Sequence, residues 1–446
     1  MTHSNNLKAQ NNKRVAKNTL LLYFRMIIII IVSLYTVRII LNILGIVDYG
    51  IYSVVGGFVA MFSFLSNTMA SATQRFIAFE IGKDNPERLK QIFSLSLLIY
   101  ILIAIVVLTI AETVGVWFLN NKMTIPNDRL LATNWVYQFA IMSFIVTIIS
   151  LPYYSVLIAR ENMKTYAIIS ALEVFLKLGI VFLLFLVKND KLIFYGVFLF
   201  IVSLTIASIY KIYCTKKYFE CRFKFYWNKT IFLEMTSYAA WNMIGALANL
   251  FKNQGVNVLL NVFFGPVINT ARGISVQIGV ALNSFVTNIY MAVRPHITKV
   301  YASGDKEYML KIVFQSAKLS YFLILIISMP VMLETNYIIN IWLGKVPDYI
   351  VLFTQLIIFN ILIETMNNQL VSALQAVGRI DKYQTFVSLL LILVLPVSYV
   401  FYYFGAEPEV SLYVSIVIAI ISFVPQILIT NLETGMSIKN YFNEVI

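Results

Sequence analysis

Gly82-Lys83-Asp84, followed by Glu112-Thr113, returns further along the chain as Gly304-Asp305-Lys306 followed by Glu334-Thr335. Gly45 is answered by Gly265, and Arg160 with Lys164 is answered by Arg379 with Lys382. In chain order the offsets are 220, 222, 222 and 219 residues, so separate landmarks keep one register. Internal repeats decide the architecture before any single element does. One half of this chain is therefore expected to be a tandem copy of the other.

The segments between the landmarks are strongly apolar. Of 446 residues, 60% are hydrophobic and 12% charged, where a soluble globule carries about 25% charged residues. Mean hydropathy is +0.81. Runs such as Met26–Leu34, Leu95–Ile110 and Leu389–Tyr399 are broken only by short polar punctuation. A bilayer crossing needs roughly 20 mostly apolar residues, and hydrocarbon forces every backbone group to bond within its own segment. Twelve helical spans are expected, at roughly 20–44, 47–78, 92–119, 133–158, 165–187, 191–213, 232–262, 270–293, 311–334, 349–374, 383–404 and 410–431. The first is too long for a secretory signal and lacks a small-residue cleavage site after it.

Charge placement supports that count. With the N-terminus inside, the inner segments hold twenty-two Lys and Arg and the outer ones only Lys122, Arg129, Lys188, Lys191 and Lys345. Such a bias is the mark of cytoplasmic loops. The net charge of +13 is then topological and not a nucleic-acid footprint. The thiols of Cys214 and Cys221 fall in an inner loop, where they are expected to stay reduced. Metal-ligand spacing is absent, and neither metal nor cofactor is expected.

Six spans per half make a parallel repeat, both copies entering the membrane the same way. The expected fold is an all-α integral membrane protein of twelve helices in two six-helix lobes with a central cavity between them. The domains are a cytoplasmic segment 1–19, an N-lobe 20–213, a linker 214–231, a C-lobe 232–431 and a cytoplasmic tail 432–446. The basic, aromatic linker region Lys211–Lys229 is expected to lie at the membrane surface, anchored by its rings and cations.

Ionisable groups inside spans are costly and mark candidate sites. Seven cations qualify: Arg25, Arg38, Arg75, Lys177, Lys252, Arg272 and Lys318. Arg25 and Arg38 share the first span, about 220° apart around a helix, so both cannot face one cavity. Arg75 sits near an inner helix end, where it can line the cavity or anchor the interface. Lys177 follows Glu173 by four residues, the spacing of a self-neutralising pair. In the seventh span Asn249, Asn253, Asn257 and Asn261 recur every fourth residue and form one polar stripe beside Lys252. That stripe reads either as a wall for a hydroxyl-rich ligand or as interhelical polar packing. The theme recurs in Asn67 of the second span and in Asn360, Glu364 and Asn367 of the tenth. Glu364, deep in its stripe, is the preferred carboxylate for ion coupling. Glu112 and Glu334 are matched by the repeat and read as scaffold. Catalytic and nucleotide-binding motifs are absent.

The stretch Leu44-Gly45-Ile46-Val47-Asp48-Tyr49-Gly50-Ile51-Tyr52, followed by Ala72-Thr73-Gln74-Arg75-Phe76, resembles the Wzx-type polysaccharide exporters of the multidrug/oligosaccharidyl-lipid/polysaccharide superfamily. The resemblance implies a MATE-like fold and a flippase in the bacterial cytoplasmic membrane. Its substrate would be an undecaprenyl-diphosphate-linked oligosaccharide, an O-antigen or capsule repeat unit. Membrane lipids and other polysaccharide-assembly proteins are the implied partners, and the chain is expected to act as a monomer. The related lipid II flippases carry a first-span arginine similar in position to Arg25, and cations in spans two and eight matched by Arg75 and Arg272. Arg25, Lys252, Arg272, Arg38 and Arg75 are thus the candidates for a pyrophosphate, which cations bind best as paired donors. Asn249, Asn253, Asn257, Asn67, Asn360 and Asn367 are the candidates for sugar.

Two other activities compete. A drug/cation antiporter of the same fold wants cavity carboxylates, yet the candidate cavity has at least as many cations. A membrane oligosaccharide polymerase or ligase wants a large outer loop, and the longest here, around Asn120–Thr133, is short.

Overall fold

The computed structural model describes residues 2–121, 125–343 and 348–445. Lys122 and Lys345 lie outside these residues, and the side chain of Asn261 is likewise not among those described. The described residues form α-helices joined by short turns, with no strand among them. The chain divides into two compact units, Met1–Thr236 and Ser237–Ile446.

The first unit holds α1 (Thr2–Ala60), α2 (Ser63–Gly82), α3 (Pro86–Ile110), α4 (Val116–Asn121), α5 (Leu130–Ala159), α6 (Met163–Leu183) and α7 (Lys191–Lys217). In it α5 packs against α1, α2, α3 and α7. α8 (Lys229–Phe264) carries the chain into the second unit, which continues with α9 (Pro266–Ala302), α10 (Lys306–Leu333) and α11 (Thr335–Leu343). The chain then runs through α12 (Ile350–Val377), α13 (Asp381–Tyr403), α14 (Val410–Thr434) and α15 (Ile438–Val445). Here α12 is the central helix, packed against α9, α10 and α14.

The sequence repeat becomes a repeat of backbone devices. Gly45 (φ 77°, ψ 173°) breaks α1, and Gly265 (φ 79°, ψ −175°) separates α8 from α9. That conformation is essentially reserved to glycine. Space is not the reason, since a Cβ at either position meets nothing within 4 Å. The next landmark is a tight turn with positive φ at Asp84 (53°) and Gly304 (90°). Each turn ends in a side-chain cap: Asn85 accepts from Arg88 N at 3.1 Å, and Asp305 accepts from Tyr308 N at 3.0 Å. Glu112 lies in a π-helical turn, Ala111–Gly115, before the short α4, and Glu334 lies at the end of α10 before the short α11. Arg160 bonds the buried Glu220 at 2.8 Å, and Arg379 and Lys382 bond the buried Glu433 at 3.3 and 2.9 Å. The matched Arg160 and Arg379 therefore tie chain segments together in each unit.

Among the described residues, one device is found in the first unit alone. Arg129, at the start of α5, donates to both oxygens of Asp48 (2.8 and 2.5 Å) and to Asp190 (2.7 and 3.1 Å). Asp190 caps α7 through Leu192 N at 3.0 Å. Ile268, one repeat later than Asp48, has no carboxylate to offer.

Among the described residues, ten helices are long and apolar enough to cross a membrane, and eleven if the bent pair Asp48–Val59 and Ser63–Gly82 counts as one span. The helix at the expected seventh span, α8, is not among them. It has 36 residues, ample length, but its asparagines, Gln254 and Lys252 lower its apolarity. The chain is a multi-pass membrane protein, and the stripe lies on a long helix that is not apolar enough to count among these spans.

Candidate functional site

The stripe opens on a cavity of about 360 Å³ inside the second unit. It receives Asn249, Lys252, Asn253 and Asn257 from α8, Arg272 and Asn283 from α9, Asn360 and Glu364 from α12, and Ser415 from α14. The four-residue spacing puts the α8 amides on one side of the helix. The same spacing stacks Asn360 over Glu364 on α12, where Asn360 Nδ2 donates to Glu364 Oε1 at 2.9 Å.

Both cations are buried, Lys252 at 6% exposure and Arg272 at 5%. Lys252 Nζ donates to Glu364 Oε1 at 3.2 Å, an ion pair between α8 and α12. Arg272 Nη1 donates to the Asn253 carbonyl at 3.2 Å and to Asn257 Oδ1. Its Nε is buried without a partner, as is Oδ1 of Asn360. Unsatisfied groups in low dielectric are expensive, and lining a ligand cavity is one reason to keep them. The wall of the cavity therefore holds a buried donor and a buried acceptor without hydrogen-bond partners. Its fixed charge is two cations against one carboxylate.

A larger recess of about 720 Å³ lies between α8 and α13, lined by Leu250, Phe251, Val258, Leu395 and Tyr399. It is almost wholly apolar, which suits acyl chains, and it holds none of the charged side chains.

Other candidates lie elsewhere. Asn367 is buried on α12 outside this lining, with its carbonyl accepting from Gln426 Nε2 at 2.5 Å. In the first unit, the Arg25 guanidinium lies 4.6 Å from the centre of the Tyr166 ring, and its Nε is buried without a partner. Tyr166 packs on Tyr154 at 5.3 Å, and Tyr154 packs on Tyr210 at 6.4 Å, so Arg25 sits on an aromatic nest. Arg75 lies over the rings of Phe76 and Phe79 at 4.8 and 5.0 Å. Arg38 and Asn67 are exposed. Lys177 pairs with Glu173 at 2.6 Å, as its spacing predicts. Sequence reasoning missed the Lys252–Glu364 pair and the tyrosines beneath Arg25. Neither leaves a local signal, since the partners are far apart in the chain.

Among the described residues, no cluster of His, Cys, Asp and Glu is able to hold a metal ion. Cys214 and Cys221 are buried free thiols. The exposed Phe225 and Trp227 mark the linker between α7 and α8.

Solved structures share this fold. An outward-facing multidrug-resistance MATE transporter of the MOP superfamily superposes with a TM-score of 0.83 at 10% identity, over 95% of this chain and 96% of that one. A MOP superfamily transporter from Pyrococcus furiosus gives 0.79 at 11% identity, over 96% and 97%. A Vibrio cholerae MATE transporter gives 0.75 at 16% identity, over 97% and 99%. No curated protein matches the sequence. Residues 15–301 match the family described as polysaccharide biosynthesis protein. With well over half of its length matched and the MATE fold throughout, the chain belongs to the polysaccharide biosynthesis protein family.

Proposed function

We propose that the protein is a flippase that turns an undecaprenyl-diphosphate-linked oligosaccharide from the inner to the outer leaflet of the bacterial cytoplasmic membrane by alternating access. Both termini lie in the cytoplasm, and α8 is the twelfth crossing, tolerated in the bilayer because its polar face lines a cavity. The family match supports a role in polysaccharide export. The observation that carries the reading is the cavity of the second unit, where Lys252 and Arg272 stand among the amides of Asn249, Asn253, Asn257 and Asn360. Cations suit phosphate and amides suit sugar hydroxyls. Arg25, with its unpartnered Nε, is a further phosphate ligand.

Cationic drugs are poorly served by this cavity. Its lining carboxylate, Glu364, is already paired with Lys252. A fold neighbour, the Pyrococcus furiosus transporter, is described as having a binding pocket of reversed polarity and a different function. That description supports a MATE fold put to uses other than drug export. Deleting the gene and extracting lipid-linked oligosaccharide tests the proposal. Flipping predicts accumulation of completed repeat units on the inner leaflet, and their absence rejects it.

A further inference from the structure

Among the residues lining the second-unit cavity, Glu364 is the one acid and Lys252 and Arg272 are the two bases. The Lys252–Glu364 pair is lopsided, because the lysine side chain is 8% exposed and the glutamate 38%. Glu364 therefore opens to the cavity while Lys252 supplies its counter-charge from within. Asn360 holds the same carboxylate through Nδ2, and its own Oδ1 is buried and unpartnered beside it. Arg272 does not compete for Glu364, since its Nη1 is committed to Asn253 and Asn257. The other titratable groups near Glu364 are Tyr290 on α9 and Tyr383 on α13, both within its electrostatic reach. Tyr321 of α10 packs on the cluster that holds Ile361 and Leu362. From α14 the cavity receives only Leu412 and Ser415, neither of which titrates.

An ion pair in a low-dielectric site is stable as a unit, and removing one partner strands the other. An anion that engages Lys252 must therefore leave Glu364 short of a cation. We infer that Lys252 is an internal counter-ion that exchanges. An anionic group entering the cavity takes Lys252 from Glu364, and Glu364 with Asn360 Oδ1 then takes up one monovalent cation, a proton or Na⁺. Charge balances for a monoanionic group, since the pair is neutral before and the anion–lysine and cation–glutamate pairs are neutral after. The second charge of a dianion such as sulfate is offset by Arg272, which lines the same cavity. Anion and cation then bind with positive cooperativity, each raising the other's affinity by the same factor. The inference rests on the proposed function only for the source of the anion, a phosphate or an acidic sugar of the substrate.

The experiment is calorimetric titration of the purified full chain in detergent with sulfate, whose charge is constant between about pH 5.5 and about pH 8. One series varies pH with choline as the sole cation, and the other varies Na⁺ at fixed pH. Exchange predicts that sulfate affinity rises by up to about tenfold per pH unit on acidification, or with Na⁺ concentration. The series that responds names the cation. Glu364→Gln binds sulfate without either dependence. In Lys252→Met/Glu364→Gln the pair is replaced by neutral groups that strand no charge, and sulfate binding is lost. Affinity in the native chain that ignores both pH and Na⁺ overturns the inference. So does a dependence that survives in Glu364→Gln, or sulfate binding that survives in the double variant. A failed cation dependence leaves the flippase proposal standing, since that is tested separately by the lipid-linked oligosaccharide of the deletion strain and by movement of the substrate between leaflets.

Discussion

Lys252 and Glu364 meet at 3.2 Å across 112 positions of sequence, and that contact sets how either is to be mutated. Lys252→Ala strands a carboxylate, so lost export and lost folding are confounded. The double change Lys252→Met/Glu364→Gln removes both charges together and is expected to keep the protein in the membrane at native level. We predict that it still abolishes most surface polysaccharide, measured beside the protein level in the same cells. Normal polysaccharide in that variant removes the pair from the substrate path. Arg25→Ala is expected to lower polysaccharide at unchanged protein level, because its guanidinium is held by ring faces and not by a carboxylate. At this scale the sequence showed which residues are polar in apolar surroundings. It did not show their partners, because pairing between α8 and α12 is a tertiary fact. The Glu173–Lys177 pair was legible because its four-residue spacing is local.

Among elements, the glycine breaks and the first-unit clamp make separate predictions. Gly45→Ala and Gly265→Ala each force a side chain into a conformation that costs about 1–3 kcal/mol. Each is expected to lower the thermal unfolding midpoint, while Gly50→Ala, inside a helix with open space around it, leaves it nearly unchanged. Equal effects at all three positions contradict the assignment. The clamp of Arg129 with Asp48 and Asp190 is partly sheltered, with side chains 22%, 18% and 29% exposed. Burial pushes the Asp190 carboxyl up, but the Arg129 guanidinium and the amides of Ile193 and Leu192 outweigh it and hold the group below its ordinary range. A carboxyl lowered by folding contributes stability that is full above its unfolded value, about 4, and is lost as pH falls through the lowered one. Melting against pH is expected to show an acid-side decline that is shallower in Asp190→Asn. An identical decline in the variant removes Asp190 from the acid response. The repeat made Gly45 and Gly265 legible because a backbone break needs one residue type at one place. The clamp was not legible, since Arg129 read as an outer-loop cation and Asp48 only as part of a motif.

For the whole molecule, the periodic apolar runs located the membrane helices, and the offset near 220 located the duplicated landmarks. The helix α8 is not apolar enough to qualify as a span. It was expected as the seventh of the apolar runs, and its fourfold asparagine spacing marked it as the helix with a polar stripe. Its polarity is the signature of a helix with a cavity on one face. The matched features — glycine breaks, capped turns, and the Arg160 and Arg379 pairs — are scaffold in both units. Of the unmatched ones, Lys252, Arg272 and the amides Asn249, Asn253, Asn257 and Asn360 gather in one cavity of the second unit. Duplication preserved helix-holding devices, and the diverged residues divide between the helix-holding Arg129 clamp and Arg25 in the first unit and the cavity lining in the second. The central claim is movement of a lipid-linked oligosaccharide between leaflets. It is tested most directly by reconstituting the purified protein in liposomes with labelled undecaprenyl-diphosphate oligosaccharide and following its exposure to an outside, membrane-impermeant sugar-modifying enzyme. The account predicts protein-dependent exposure that is lost in Lys252→Met/Glu364→Gln. Exposure no faster than in protein-free liposomes contradicts it.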